Sequence, residues 1–417
     1  MLARWLGLAA VVAAFPILSG CAASTTPDAA EATGGSLTVY SSLPLQGPEG
    51  QISEQIVGGE KLALDQAGAH AGPYKIAYVS LDDANPKTGV WNPGITASNA
   101  KRAAQDPSTI AYLGDFDSAA TAISLPVMNG AGVLQVSPSS PYVGLTSSLD
   151  AGQDEPDRFY LSGQRTFGRV LPGDPAEAAA QVELMRSLGV QSVYVLNDLD
   201  PFSGPLATIV AGKAQAAGIH VPAHETISTT AGSSFEQVTE NVSKSGADAV
   251  FMAGEGNATT ARLWRELHRA DPHLKLLASS GMANGPFTSH LGSAAAATYM
   301  TGPLLSTGSY PPQAQFVLSA YRSAFGSSAG PWALDGYAAM RMVLDAIDSA
   351  GKDATDRRTV ISRLLGASPQ QSVLGPMAIG PDGESTLDRY GVYTIEGGRP
   401  RFQRAVTLPA DTEAATP

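Results

Sequence analysis

Apolar runs of two kinds alternate along the chain from about residue 36 onward. Short runs rich in β-branched residues predict strands, and longer Ala-rich segments with helical spacing predict helices. The predicted strands are Leu37–Ser41, Lys75–Leu81, Thr109–Leu113, Val133–Val136, Ser192–Leu196, Ala249–Met252 and Leu274–Ala278. The predicted helices are 52–68, 95–105, 118–130, 175–188, 204–217, 234–245 and 257–270. Such alternation implies an α/β fold in which parallel sheets are covered by helices.

Several of these helices have recognisable ends. Asp117-Ser118, Asp174-Pro175 and Ser233-Ser234 are candidate helix starts, because Asp and Ser cap helices and Pro is favoured in the first turn. Gly189 and Gly218 are candidate ends, since glycine is the usual residue just beyond a helix. The alternation falls into two blocks that meet near residue 160. We therefore expect two α/β lobes rather than one continuous sheet.

The first twenty residues predict a signal peptide. Arg4 supplies a positive charge, and Trp5–Leu18 is an apolar run about fourteen residues long, whereas a transmembrane helix needs roughly 20. The run ends in Leu18-Ser19-Gly20-Cys21, which resembles the lipobox of bacterial lipoproteins, where the cysteine receives diacylglycerol. A chance cysteine beside an ordinary signal peptide is the alternative. We expect lipidation of Cys21, a flexible tether over residues 22–36, and a folded part on the outer side of a cell membrane.

Composition and charge exclude several classes of protein. The 417 residues are 43% apolar and 15% charged, which is too apolar for a disordered chain. The single cysteine forbids an intramolecular disulfide. The net charge of −12 argues against a nucleic-acid partner, which would need a basic face.

Polar turns rich in hydroxyls, acids and glycine follow the predicted strands. Ligands of open parallel sheets bind outside the carboxyl ends of the strands, and helix starts with Ser hydroxyls suit a carboxylate. For any single turn, ordinary helix capping is the alternative interpretation, but their recurrence favours a shared ligand site. The turns are Ser41-Ser42 with Gln46–Pro48, Gly114–Ser118, Ser137–Ser140, Asn197–Asp200, Gly254–Asn257 and Ser279–Gly281.

The sequence lacks the common catalytic and cofactor motifs. It has neither a phosphate-binding P-loop nor a dinucleotide fingerprint after the first strand. Gly326–Gly330 matches Gly-x-Ser-x-Gly in letters, but a helical segment precedes it where a strand would be needed. Asp198-Leu199-Asp200 lacks the spacing of a calcium loop, and the six histidines lie outside the polar turns. We therefore expect no enzyme, no cofactor and no metal site.

Taken together, the turns resemble the branched-chain amino-acid type of periplasmic binding protein over residues 37–405. The resemblance implies the type I fold, in which two Rossmann-like lobes are joined by three crossover segments. It implies a first lobe of 37–162 with about 302–390, a second lobe of 163–301 with about 391–408, and a disordered tail at 409–417. The matching pieces are Gly47-Pro48 with Gly59–Leu64, Val79–Lys87, Leu113–Ser118, Val136–Pro138, Asp335–Ala339 and Gly375-Pro376.

The resemblance also implies positions for ligand contacts. Ser118 matches the serine that holds the ligand carboxylate together with neighbouring N–H groups. Ser139 to Pro141 match a second strand-end loop, where Pro141 replaces a threonine and Ser140 is the candidate substitute hydroxyl. Phe202 falls where an aromatic residue closes over the ligand from the second lobe. Ile52 falls where an aromatic residue packs on the ligand side chain.

Ser280 is the departure with the largest chemical consequence. It stands where the family's amino-acid binders carry a glutamate that pairs with the ligand ammonium, and breaking a buried ion pair costs roughly 3–5 kcal/mol. Either Asp117 or Glu255 replaces that acid, or the ligand has no α-ammonium. The alternatives are a helix cap for Asp117 and a solvated rim charge for Glu255. Gly256 or Asn257 lies where a tyrosine is common in the family.

The resemblance implies an extracytoplasmic solute-binding protein of an ABC importer. We expect a monomer that captures an amino acid, an amide or a similar small polar metabolite between two closing lobes and delivers it to an ABC permease. The departures from the family pattern favour a ligand other than leucine, isoleucine or valine. The alternative is a ligand-binding sensor lipoprotein that reports to a membrane receptor or kinase. Neighbouring permease and ATPase genes would favour transport.

Overall fold

The computed structural model describes residues 31–33 and 35–408. The predicted signal peptide, the predicted lipidation site Cys21, most of the predicted tether and the predicted tail at 409–417 lie outside these residues. No helix in the described part of the chain combines the length and the apolar character needed to cross a membrane.

The first chain segment forms a sheet in the order β2-β3-β1-β4-β5-β6, with only β2 antiparallel to its neighbour. Seven of the eight residues of β1 are buried, as expected for a strand inside a parallel sheet covered on both faces. The elements are β1 Ser36–Leu43, α1 Gly50–Gln66, β2 His70–Ala71, β3 Tyr74–Asp82, α2 Pro93–Gln105, β4 Thr109–Gly114, α3 Ser118–Gly130, β5 Leu134–Ser137 and β6 Phe167–Arg169.

The second segment forms the parallel part of a second sheet, in the order β11-β10-β9-β7-β8. All five residues of β7 and of β9 are buried. The elements are α4 Asp174–Ser187, β7 Val193–Asn197, α5 Ser203–Ala216, β8 His224–Thr226, α6 Glu236–Ser245, β9 Ala249–Ala253, α7 Ala258–Ala270, β10 Lys275–Ala278, α8 Gly285–Thr288 and β11 Thr298–Gly302.

The third segment returns to both lobes. Its helices cover the first sheet, and its last two strands extend the second sheet beside β11 in antiparallel pairing. The elements are α9 Pro312–Phe325, α10 Trp332–Ala350, α11 Arg357–Leu365, β12 Gln370–Ser372, β13 Gly375–Met377, β14 Arg389–Glu396 and β15 Arg399–Thr407. The predicted α/β fold of two lobes joined by three crossovers is thereby confirmed.

The strands and helices that the apolar pattern predicts are present, with ends within two residues of the prediction. Gly189 and Gly218 follow their helices with φ of 68° and 81°, as predicted. The prediction of a helix start at Ser233-Ser234 is wrong. Helix α6 begins two residues later, after Phe235, and the Ser233 hydroxyl instead donates a hydrogen bond to the Ser228 hydroxyl at 3.1 Å.

Helices α1 and α10 pack unusually close together, although almost 270 residues separate them in the chain. Gly59 and Gly336 make this approach possible. A Cβ atom on Gly59 would overlap the carbonyl oxygen of Ala333, and one on Gly336 would overlap that of Ile56. The first lobe therefore depends on a helix that the chain supplies only after it has passed through the second lobe.

Three crossover segments join the lobes: 170–173 between β6 and α4, 303–311 between β11 and α9, and 378–388 between β13 and β14. The Ser385 hydroxyl donates to the carbonyl of Val170 at 2.7 Å, which ties the third crossover to the first. The guanidinium of Arg389, the first residue of β14, donates to the carbonyl of Ser309 at 3.1 Å, which ties the end of the third crossover to the second crossover. The chain leaves the first sheet after Arg169, later than the predicted division between residues 162 and 163.

Candidate functional site

Strand-end turns of the two lobes carry the candidate site. Glu49 and Asp117 follow β1 and β4 in the first lobe, and Glu255 follows β9 in the second. Burial raises the pKa of Asp117 well above its usual range, and the negative charges of Glu49 and Glu255 raise it further. Burial also raises the pKa of Glu255 to about 7, with added repulsion from Asp200, Asp198 and Glu49, although part of its side chain remains exposed to solvent. Carboxylates from both lobes therefore lie within electrostatic reach of one another.

An aromatic contact joins the two lobes directly. Phe202, immediately before α5 in the second lobe, packs against the ring of Tyr142 in the loop after β5 of the first lobe. The ring centroids are 4.6 Å apart and the planes meet at 84°, which is a favourable edge-to-face geometry. The Tyr142 hydroxyl donates to the Glu155 carboxylate at 2.5 Å, which fixes the ring for this contact. We call the region around this contact and the strand-end acids the interlobe site.

Ser118 lies in the first turn of α3, beside the loop after β5. Its hydroxyl accepts a hydrogen bond from the backbone N–H of Tyr142 at 3.2 Å. Ser139 lies in that loop, and its backbone N–H donates to the Ser137 hydroxyl at 3.1 Å. Both serines are half-buried, so each keeps some surface open at the interlobe site.

The Ser140 hydroxyl is directed into the first lobe. It is completely buried, bonds the Thr121 hydroxyl at 2.6 Å and donates to the carbonyl of Asp115 at 3.1 Å. These contacts brace the inside of the lobe. In this geometry the Ser140 hydroxyl does not replace the threonine hydroxyl that is missing at Pro141.

Arg169 holds the loop after β5 in place, although no sequence motif pointed to it. Its buried guanidinium donates to the carbonyls of Ser140 at 2.7 Å and Tyr142 at 3.0 Å, and to the Thr146 hydroxyl at 2.7 Å. It also pairs with Glu384 of the third crossover at 3.2 Å. Arg169 is therefore a positioning residue for Ser140 and Tyr142 of this loop.

Ser280 is bonded to an acid from a distant helix. Its backbone N–H and its hydroxyl donate to the two carboxylate oxygens of Glu177 in α4, both at 2.6 Å. Burial raises the pKa of Glu177, while these bonds and one from the Tyr390 hydroxyl lower it in part. An acid therefore does lie beside Ser280, but its oxygens are already engaged by the second lobe.

Asn257 acts as a helix cap. Its side-chain oxygen accepts from the backbone N–H groups of Thr259 and Thr260 at 2.8 and 3.0 Å, and the Thr260 hydroxyl accepts from the Asn257 N–H at 2.8 Å. This reciprocal arrangement is a capping box, which satisfies N–H groups that the first helical turn leaves free. Asp117, by contrast, makes no capping hydrogen bond with its side chain.

Ile52 belongs to a small apolar cluster in the first lobe. It packs with Phe116 and Trp332 against the buried residues Leu43 and Ile56. The rings of Phe116 and Trp332 lie 5.4 Å apart with their planes tilted by 59°. Phe116 directly precedes Asp117, so this half-buried aromatic surface adjoins the carboxylates of the interlobe site.

Two acids that the sequence reasoning missed belong to the same group. Glu49 has a buried carboxylate oxygen without a hydrogen-bond partner, and so does Asp83, the first residue after β3. Burial raises the pKa of Asp83 to about 7, and repulsion from Asp82 and Glu49 adds to it. Both residues follow strands, and the other candidate turns were predicted from their positions after strands. Among the described residues, no three His, Cys, Asp or Glu side chains come together as metal ligands would.

A separate groove lies on the outer side of the first lobe and does not contain the predicted site residues. Its volume is about 990 Å³, and it is lined by residues of α9, α10, α11 and the β12–β13 hairpin. The interlobe site, where the strand-end turns of both lobes meet, remains the candidate functional site.

Comparison with known proteins agrees with this fold. The chain matches the periplasmic binding protein family over residues 41–399. An amino acid binding protein from Pseudomonas aeruginosa is 23% identical over 84% of this chain and 87% of its own length. A Leu/Ile/Val-binding protein from Citrobacter freundii is 22% identical over 90% and 95%.

A solved structure shows the same architecture. The leucine-binding protein of Thermotoga maritima superposes with a TM-score of 0.72 at 19% identity, covering 89% of this chain and 99% of its own. Since the family match spans most of the chain, this protein belongs to the periplasmic binding protein family and has the type I fold of its branched-chain amino-acid branch.

Proposed function

We propose that this chain is the extracytoplasmic solute-binding component of an ABC importer. It captures an amino acid or a related small polar metabolite between its two lobes and presents it to an ABC permease. Family membership supports this role, and so do the relatives, which are described as an amino acid binding protein and a Leu/Ile/Val-binding protein. The observation that carries the proposal is the meeting of strand-end turns from both lobes around the Tyr142–Phe202 contact.

The crossover segments support a hinge between the lobes. Hydrogen bonds from Ser385 to Val170 and from Arg389 to Ser309 hold the three segments together as one connection. A ligand that contacts both lobes binds the closed arrangement more tightly than the open one, and therefore shifts the population toward closure. The permease then recognises the closed form.

We expect a ligand from a metabolite library to stabilise and compact the purified mature protein. At about 100 times its dissociation constant, a ligand raises the free energy of unfolding by about 2.7 kcal/mol, which a thermal-shift screen detects. Small-angle scattering of each hit should show a smaller radius of gyration than the unliganded protein. Hits without compaction would contradict capture between closing lobes.

Membrane attachment is the second part of the proposal. Cys21 is the one cysteine of the chain and ends a lipobox-like sequence, which supports diacylglycerol attachment and an outward-facing position on the cell membrane. In bacterial cells, the parent protein should partition into detergent with the membrane fraction. Cys21→Ser should lose that partitioning, and equal partitioning of the two would contradict the lipid anchor.

A further inference from the structure

The interlobe site contains carboxylate oxygens that no group of the protein satisfies. Glu49, Asp83 and Asp117 each have one buried carboxylate oxygen without a hydrogen-bond partner among the described residues. Asp83 is completely buried, with a relative exposure of 0%. A buried carboxylate without a partner is costly, so such a group stays protonated unless a cation or another ligand compensates its charge.

In their ionised forms these carboxylates repel one another. The charges of Glu49 and Asp83 both add to the raised pKa of Asp117, after the larger effect of burial. Glu255 adds its charge from the second lobe. The ion pairs of the described residues include none of these four acids. The described residues therefore supply no positive charge that pairs with these acids.

An aromatic surface adjoins the acids. Phe116 and Trp332 are both half-buried, and Phe116 is the residue before Asp117. Aromatic faces attract cations and also accept apolar carbon, whereas a bare metal ion would gain little from them. The aromatic pair is independent of the carboxylates and points to the same class of ligand.

Building on the proposed solute-binding role, we propose that the interlobe site takes a small organic cation, namely an amine or guanidinium compound. Its positive group lies among the carboxylates of Glu49, Asp117 and Glu255, and its carbon chain packs against Phe116 and Trp332. An anionic solute would be repelled by the ionised acids, and a neutral solute would leave them protonated, whereas a cation favours their ionised form. The site thus selects its ligand by charge.

The test is titration calorimetry on the purified mature protein with probes matched in length. Putrescine and agmatine are the cationic probes, 1,4-butanediol is the neutral analogue of putrescine, and succinate is the anionic one. We expect a cationic probe to bind at least tenfold more tightly than the diol and the diacid. Asp117→Asn and Glu255→Gln, which lie in different lobes, should each weaken its binding at least tenfold.

Matched controls are available in both lobes. Asp65, at the opposite end of α1 from Glu49, and Glu240, within α6, are exposed, so Asp65→Asn and Glu240→Gln should bind the cation like the parent. Glu255 is partly exposed, so Glu255→Gln should fold even where Asp117→Asn does not. The unfolding midpoint of each variant verifies this.

Several results would overturn the inference. Binding of leucine or succinate that is unaffected by Asp117→Asn and Glu255→Gln would contradict a cationic ligand while leaving the solute-binding role intact. Binding of calcium or magnesium alone that both variants abolish would replace the organic cation by a metal. A complete absence of binding across cationic, neutral and anionic solutes would contradict the proposed function itself.

Discussion

Asp335 is a buried ionisable side chain of the first lobe. It is completely buried within α10, and neither carboxylate oxygen has a hydrogen-bond partner among the described residues. Burial raises its pKa well above the usual value of about 4. The folded protein therefore holds the proton of the Asp335 carboxyl more tightly than the unfolded chain does. Its contribution to stability is fully present below about pH 4 and is lost as the pH rises toward the folded-state pKa.

Asp335→Asn should remove this dependence, because asparagine stays neutral at every pH. We expect the variant to match the parent only below about pH 4 and to be the more stable protein above it, with a gap that widens from pH 5 to pH 8 by at most about 1.4 kcal/mol per pH unit. Urea unfolding at pH 5, 6.5 and 8 measures the difference in the free energy of unfolding between the two proteins. Asp65→Asn, at an exposed position of α1, is the control and should show no such trend. A constant gap would mean that Asp335 is ionised in the folded protein.

For single residues, the sequence predicted the positions of the candidate turns but not the directions of their side chains. Ser140, Asn257 and Ser280 do lie in strand-end turns, yet a bracing network, a helix cap and Glu177 engage their polar groups. Those partners lie on other elements or in the first turn of a helix, and the residue type alone does not determine which of them a side chain will meet. Asp117 was a candidate for the acid that pairs with a ligand ammonium, with a helix cap as the alternative, and its side chain makes no capping hydrogen bond.

Close packing of α1 on α10 makes a prediction at the scale of elements. Gly336→Ala should lower the free energy of unfolding by about 1–3 kcal/mol, because the added methyl overlaps the Ile56 carbonyl and pushes the helices apart. Gly212→Ala in α5 is the matched control, since a Cβ there meets nothing within 4 Å. It should be neutral or stabilise by up to about 1 kcal/mol. Equal effects in denaturant unfolding would contradict close packing at Gly336.

The apolar pattern predicted the buried elements well and the exposed ones poorly. Strands inside a parallel sheet are continuous apolar runs, which is why β7 and β9 could be located from the sequence. Strand β15 has one buried residue among nine and carries three arginines, so it offers no such run. It is a strand because β14 pairs with it, and that is a tertiary effect.

For the whole molecule, the contact between lobes should contribute to ligand affinity. Phe202→Ala removes the edge-to-face contact with Tyr142, and such pairs contribute about 0.5–1.5 kcal/mol, or roughly twofold to tenfold in affinity. Calorimetry with a hit from the thermal-shift screen measures the loss. Phe316→Ala, at an aromatic residue that is 75% exposed on α9, is the control. Equal affinities for the two variants would show that the lobes close without this contact.

The returning third segment also bears on how the protein is made and exported. When synthesis has reached Gly302, the chain already holds the parallel strands of both sheets, but α10 has not yet covered α1, and β14 and β15 have not yet joined β11. Neither half can therefore mature while the C-terminal part is still on the ribosome. This connectivity delays compaction until the last quarter of the chain has emerged, which suits a chain that crosses a membrane as an unfolded polypeptide.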